Sequence, residues 1–205
     1  PAAAPAAASS DGPVPGERVL GALSGGVESS VAAALLQADG CQVVGVTLRL
    51  WDYPAQVEGG CCSAADIGDA RRLAADLGFP HYVLDERERF SSRVVDRFVA
   101  GYRRGRTPNP CAGCNQEVKF RRLLEVARCL GIPWVATGHY ARLVRCSGGS
   151  PVRLLRATDR SRDQSYFLYG VAATDLERLC FPLGQMTKEG VRALGRGQGV
   201  RVAET

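Results

Sequence analysis

The period of the apolar positions changes several times along the chain, and each change marks an element. Residues 19–23 form a short apolar run that enters Ser24-Gly25-Gly26, which predicts a buried strand ending in a tight turn. Residues 29–38 are Ala-rich and apolar and predict a helix that Gly40 ends. A second strand is expected at 43–48, followed by a Pro- and Gly-containing loop at 53–60. Ser63 opens a helix over 64–77, with Asp66 three residues on as the partner of a capping box and Gly78 and Pro80 as the stop. Residues 82–84 predict a third strand and 86–102 a long charged helix. The stretch 103–115, with Pro108, Pro110 and two cysteines, predicts a loop. Val118, Leu123, Leu124 and Ala127 have helical spacing, so 117–130 is a helix, and 134–137 is a fourth strand.

Four alternations of strand and helix predict an α/β fold, a parallel sheet with helices on both faces. The rhythm breaks after His139. Residues 141–145 and 152–156 flank Ser147-Gly148-Gly149-Ser150 as a hairpin would, and short helices are expected at 174–179 and 188–196. Residues 1–17 are expected to be an Ala/Pro-rich disordered leader; residues 1–15 hold no Arg, unlike an organelle-targeting peptide. The sheet domain is expected at 18–160, and 161–205 as a helical segment that begins a second domain. The start at Pro1 and the end at Thr205 without a closing element suggest a fragment.

Composition narrows the function classes. Of 205 residues 45% are apolar and 23% charged, which excludes disorder over the whole chain. No run approaches the roughly 18 apolar residues of a membrane helix, so no membrane role is expected. The net charge is +5, but it is segregated: 17 basic residues against 5 acidic ones lie between Arg87 and Arg162, a local +12 that leaves −7 for the rest. Such a basic half suits a polyanionic partner. Arginine supplies 24 of the 26 basic residues, a bias that explains the choice of Arg over Lys but not the segregation. Eight cysteines are too sparse for a disulfide scaffold, and no apolar signal segment is present, so a reducing, cytoplasmic setting is expected. There, paired cysteines point to metal or sulfur chemistry.

Two motifs carry chemistry. Ser24-Gly25-Gly26-Val27-Glu28-Ser29-Ser30 sits between a strand and a helix, where open α/β sheets bind anions. Two glycines let the backbone approach a phosphate, and three serines add donors. The Walker and dinucleotide signatures are both missing. The bland alternative is an ordinary Gly-rich turn. The second motif, Cys111-Ala112-Gly113-Cys114, precedes a helix, whose N-terminus, with Arg103, Arg104, Arg106 and Lys119 nearby, favours thiolate. On the residues alone it is a thioredoxin-like redox pair, half of a metal site with Cys61 and Cys62, a sulfur-carrying nucleophile, or a structural pair. His139 reads as a satisfied polar group and His81 as structural, Trp51 and Trp134 as packing, and Cys41, Cys129 and Cys146 as small residues at element edges. Gly195-Arg196-Gly197-Gln198-Gly199 follows a helix and reads as its stop.

The first motif resembles the PP-loop of the ATP pyrophosphatases, which cleave ATP between the α and β phosphates and adenylate a carbonyl oxygen. Further stretches share one family's order: residues 48–52, Cys61-Cys62-Ser63, Asp69-Ala70-Arg71-Arg72, Gly105-Arg106-Thr107-Pro108-Asn109-Pro110 up to Cys114-Asn115, Val118-Lys119-Phe120, residues 136–141 and 163–168. Together they resemble the bacterial tRNA-specific 2-thiouridylases, from about Arg18 to Thr205.

That resemblance implies replacement of the C2 oxygen of a wobble uridine in tRNA by sulfur. It implies an ATP site of Ala22, Leu23, Ser24, Gly25, Gly26, Val27, Glu28 and Ser29, with Leu48 at the adenine and Gly138 beside it. It implies Asn109, Pro110 and Cys111 at the target base, Cys114 as the first catalytic cysteine, and Arg162, Asp163 and Gln164 at the tRNA. The family usually has Asp at the position of Glu28, often Asp at that of Cys111, and Lys at that of Arg162. The implied cofactors are ATP and Mg²⁺; the implied partners are tRNA and a sulfur donor, a cysteine desulfurase or a sulfur carrier. The family's second catalytic cysteine lies in a segment beyond Thr205, and Cys180 does not match it. Two other classes stay open on the residues: a redox protein using Cys111 and Cys114, and an iron–sulfur or metal module using these with Cys61 and Cys62.

Overall fold

The computed structural model describes residues 12–52, 63–145, 151–198 and 200. The expected 53–60 loop, Cys61, Cys62, Cys146, and most of the leader fall outside them, as do the glycines of the expected hairpin turn. Five strands form a parallel sheet: β1 (Arg18–Ala22), β2 (Gln42–Arg49), β3 (His81–Asp85), β4 (Trp134–Ala136) and β7 (Leu179–Cys180), in the order β3-β2-β1-β4-β7. The register pairs Leu20 with Val44 on one side and with Val135 on the other. A short antiparallel pair, β5 (Ala141–Val144) and β6 (Arg153–Arg156), stands apart as the expected hairpin.

Strand alternation sorts the core into two layers, because successive side chains point to opposite faces. Leu20, Val44, Val46 and Leu48 face one layer with Val118, Phe120, Leu123 and Leu124. Val19, Leu23 and Val43 face the other, with Ala33 and Ala34 of α1 (Val27–Ala38) and Ala70, Leu73 and Ala74 of α2 (Ala64–Leu77). The opposite side of α1 buries Val27 and Val31 with Val191 of α8 (Lys188–Gly197). Helices therefore cover both faces, as the alternation of elements required.

Three features depart from the expected elements. The helix after β3 runs through α3 (Arg87–Phe90), a π-wound stretch Ser91–Val95 and α4 (Asp96–Arg103) without leaving right-handed helical dihedrals. Residues 110–114 are not loop: α5 (Pro110–Cys114) opens a second such helix, continued by a π-wound Asn115–Phe120 and α6 (Arg121–Cys129). Asn109 caps it, its Oδ1 accepting from the backbone N–H of Cys111 at 3.0 Å and of Ala112 at 3.3 Å, with Pro110 in the first turn. Proline, read as a breaker, is here a starter. Finally, the expected helix at 174–179 is shorter, α7 (Ala173–Leu176), and Leu179 and Cys180 form the two-residue edge strand β7. Among the described residues no helix is long and apolar enough to cross a membrane.

Candidate nucleotide site

The turn from β1 to α1 is built by its own hydrogen bonds. Leu23 N donates to Val46 O at 2.8 Å, which carries the ladder one residue past the strand. Ser29 Oγ accepts from Ser24 N at 3.1 Å and donates to Gly26 O at 3.0 Å, while Ser30 Oγ donates to Gly26 O at 2.9 Å. The serines thus brace the loop from inside, and Gly26, the N-cap of α1, has no side chain to satisfy the first helical N–H groups. Those donors remain for an anion.

Two glycines are fixed by close approach. Gly25 has φ +79°, and a Cβ there would lie 2.3 Å from the carbonyl oxygen of Asp66. The first turn of α2 is therefore pressed against the loop. A Cβ on Gly138 would lie 2.7 Å from the backbone of Glu28 and Ser29. The start of α8 arrives from a third side, where the Lys188 ammonium pairs with the Glu28 carboxylate. The N-termini of α1 and α2, each with its partial positive charge, thus meet at one turn, and a lysine from the first residue of α8 reaches it.

Below it opens a cavity of about 480 Å³. Of the residues singled out in the sequence, Ala22, Leu23, Ser24, Gly26, Glu28, Ser29, Leu48, Gly138 and Gln164 line it. The rest of its lining is the apolar Val46, Leu50, Phe120 and Leu123 and the polar or ionisable Asp66, Lys119, Thr137, His139 and Tyr140, with Gly138 between Thr137 and His139. Gly25 and Val27 stand behind the wall, Gly25 against Asp66 and Val27 in the α1–α8 packing.

The other singled-out residues lie outside the cavity. Asn109, Pro110 and Cys111 are exposed at the start of α5. Cys114, 7% exposed, belongs to the core layer with Val118, Phe120 and Leu168. The two cysteines thus sit in different environments, one in water and one in the core. Cys111 and Cys114 are on a helix that follows a helix, not at a strand end, which removes the thioredoxin-like setting. Among the described residues no three His, Cys, Asp or Glu side chains are gathered for a metal. Arg162 is exposed. Burial opposes ionisation of Asp163, yet its carboxyl is held below the usual range by N–H groups of Ala157 (2.9 Å) and Ser165 (3.2 Å). Gln164 Oε1 accepts from Tyr140 N at 2.9 Å, which ties this loop to the cavity rim.

His139 and Tyr140 are the rim residues that sequence reasoning undervalued. Burial, with the charge of Lys119 adding to it, pushes His139 down to about 3, so the ring is neutral. It bonds Thr137 Oγ1 through Nδ1 at 2.8 Å and packs between Phe120 and Phe181. Burial and then the charges of Glu28 and Asp159 push Tyr140 up to about 12, and its buried hydroxyl has no partner among the described residues. Periodicity gave no signal for either; position just after a parallel strand did, since open α/β sheets bind ligands there.

Comparison with known proteins agrees with this geometry. Two solved structures share the fold at low identity: a 4-thiouridine synthetase in complex with RNA and ATP (TM-score 0.57, 16% identity, 91% of this chain and 42% of that one) and the NMN synthetase of Francisella tularensis (0.53, 18%, 94% and 66%). Among curated sequences, proteins named tRNA-specific 2-thiouridylase MnmA are similar: that of Sorangium cellulosum is 53% identical over 94% of this chain and 50% of its own length, that of Geobacter metallireducens 50% identical over 92% and 52%. The chain spans about half the length of the curated relatives it matches. The model of one family, described as the tRNA methyl transferase HUP domain, runs over residues 17–205, and the chain belongs to that family.

Proposed function

We propose that this chain supplies the ATP site and the first catalytic thiol for ATP-dependent 2-thiolation of the wobble uridine in tRNA. The observation that carries the reading is one cavity whose lining includes both the β1–α1 turn at Gly26, Glu28 and Ser29 and the apolar side chains of Leu48 and Leu50. Methyl transfer, which the family description names, draws no comparable support, because adenosylmethionine has no phosphates for the nest.

In the first step the uridine O2 attacks the α-phosphorus of ATP. The bond from that phosphorus to the α,β-bridging oxygen breaks, and pyrophosphate leaves. Backbone N–H groups at the start of α1 hold the phosphates where charge develops. The C2 carbon, now bearing an adenylated oxygen, accepts the terminal sulfur of a persulfide, and AMP departs with the original oxygen. Cys114 attacks the inner sulfur of the persulfide, frees the terminal one and closes a disulfide. The persulfide belongs to a second cysteine, loaded by a desulfurase or a sulfur carrier. Asn109, Pro110 and Cys111 meet the flipped base, and Arg162, Asp163 and Gln164 meet the tRNA, in the cytoplasm where tRNA resides.

Mg²⁺ suits the carboxylates among the lining residues: Glu28, exchanging its Lys188 partner, and Asp66 would hold the ion, which would offset the charge of the leaving pyrophosphate. Asp66 spends Oδ2 on the capping box with Ser63, at 2.8 Å to both its N and its Oγ. An iron–sulfur cluster does not fit the described residues, which offer Cys111 and Cys114 in unlike settings, and no step passes through one.

The test is ATP–pyrophosphate exchange in the presence of wobble-uridine tRNA, on the chain and on Cys114→Ala. Adenylation does not use the thiol, so both exchange. Absence of exchange together with absence of ATP binding overturns the reading.

A further inference from the structure

The chain meets almost every need for a cation with arginine: it has 24 Arg and 2 Lys. Every ion pair of a described acidic residue uses Arg, with one exception, Lys188 on Glu28. The other lysine is Lys119, and it lines the same cavity. Both lysines of an arginine-biased chain therefore stand at the nucleotide cleft.

Their states differ. Lys188 is neutralised by Glu28. Lys119 is half-buried and, among the described residues, makes no ion pair and no side-chain hydrogen bond. Its neighbour Glu117 is engaged elsewhere, with Arg97 at 3.1 Å. Of the other ionisable groups of the wall, Asp66 bonds Ser63 through Oδ2 and makes no ion pair with Lys119, and His139 is neutral. A partly desolvated ammonium without a counter-charge is unfavourable unless an anion arrives. Lys119 stands beside Phe120 and Leu123, on the helix that begins with Cys111 and Cys114, and not on the α1 turn that receives the outer phosphates. Of the three phosphates of ATP, the α-phosphate is the one bonded to the adenosine, and so the one nearest the apolar lining residues Phe120 and Leu123 of Lys119's own helix.

We infer that Lys119 binds the α-phosphate of ATP and is a further catalytic residue of the adenylation step. The inference rests on the ATP reading above. As the uridine O2 adds to the α-phosphorus, charge gathers on the non-bridging α-oxygens, and the ammonium stabilises it without giving up a proton. A compact ammonium suits this place, whereas a guanidinium is larger and planar.

The experiment is a binding ladder of adenosine, AMP, ADP and ATP, by calorimetry, on the unchanged chain and on Lys119→Met. In the unchanged chain affinity rises from adenosine to AMP. In Lys119→Met that rise falls by about tenfold or more, as loss of one charge-assisted contact implies, while adenosine binding and the steps to ADP and ATP stay as they were. An unchanged rise to AMP, or a loss confined to ADP and ATP, overturns the assignment. If Lys119→Met also loses adenosine, Lys119→Arg is read on the same ladder: adenosine binding kept with a weakened AMP step supports the compact ammonium, and an unaltered AMP step overturns it. Failure of the unchanged chain to bind any of the four overturns the ATP reading itself, a result distinct from a selective loss in the variant.

Discussion

The two walls of the cavity are made in different ways. The β1–α1 turn is held by backbone and short hydroxyls: Ser29 and Ser30 bond within the loop, and Gly25 and Gly138 leave room for neighbouring chain segments. The second wall, Lys119, Phe120 and Leu123 on the helix that runs from 110 to 129, is held by side chains, with Val118, Phe120 and Leu123 sunk in the core. The first wall depends on which residues lack atoms. The second depends on which residues fill space. Tolerance to substitution should differ accordingly.

The sharpest way to break this contrast is Gly25→Ala. The added Cβ meets Asp66 backbone at 2.3 Å in a left-handed conformation, so α2 must retreat. Denaturant unfolding should show a loss of about 3 kcal/mol, the scale of overpacking plus backbone strain. A loss under 1 kcal/mol would mean that the loop is not clamped as described.

A smaller effect follows from His139, packed on Phe120 of the second wall. Its folded value lies far below its unfolded one, so the unfolded chain takes up the proton first as pH falls. Stability is complete above about pH 6.5 and declines as pH drops from there toward 3. His139→Gln should flatten that limb in unfolding titrations between pH 7 and 4. An unchanged limb would place the acid sensitivity in other groups.

Smallest is Asn109→Ala, which removes the cap of α5. It should cost about 1 kcal/mol, read as a shift in denaturation midpoint with AMP affinity unaltered. A much larger loss would show that the second wall, too, hangs on its first turn.

The same contrast explains what the sequence revealed. Gly25, Gly26 and the serines are a local pattern, and the β1–α1 turn was legible to within two residues. α2 with its capping box was equally local. The start of α5 was misread because Pro108 and Pro110 look like breakers, although Asn109 followed by Pro110 is also a helix-start pattern. β7 escaped because two residues are too few for any alternation to show. The pairing of Lys188 with Glu28 spans 160 positions, and the approach of Asp66 to Gly25 spans 41; neither leaves a local trace. Lys119 did leave one, in its rarity.

The π-wound stretch Asn115–Phe120 separates the cysteine turn from α6. A π-turn amounts to one surplus residue in an α-helix, and one residue turns the helix by about 100°. Cys111 and Cys114 therefore point where they do through a phase shift relative to Leu123 and Leu124. Deleting a single residue from 115–120 would leave Leu123, Leu124 and Ala127 in the core and swing both thiols to another azimuth. The direction of the two thiols is set by a count of residues as much as by their kind.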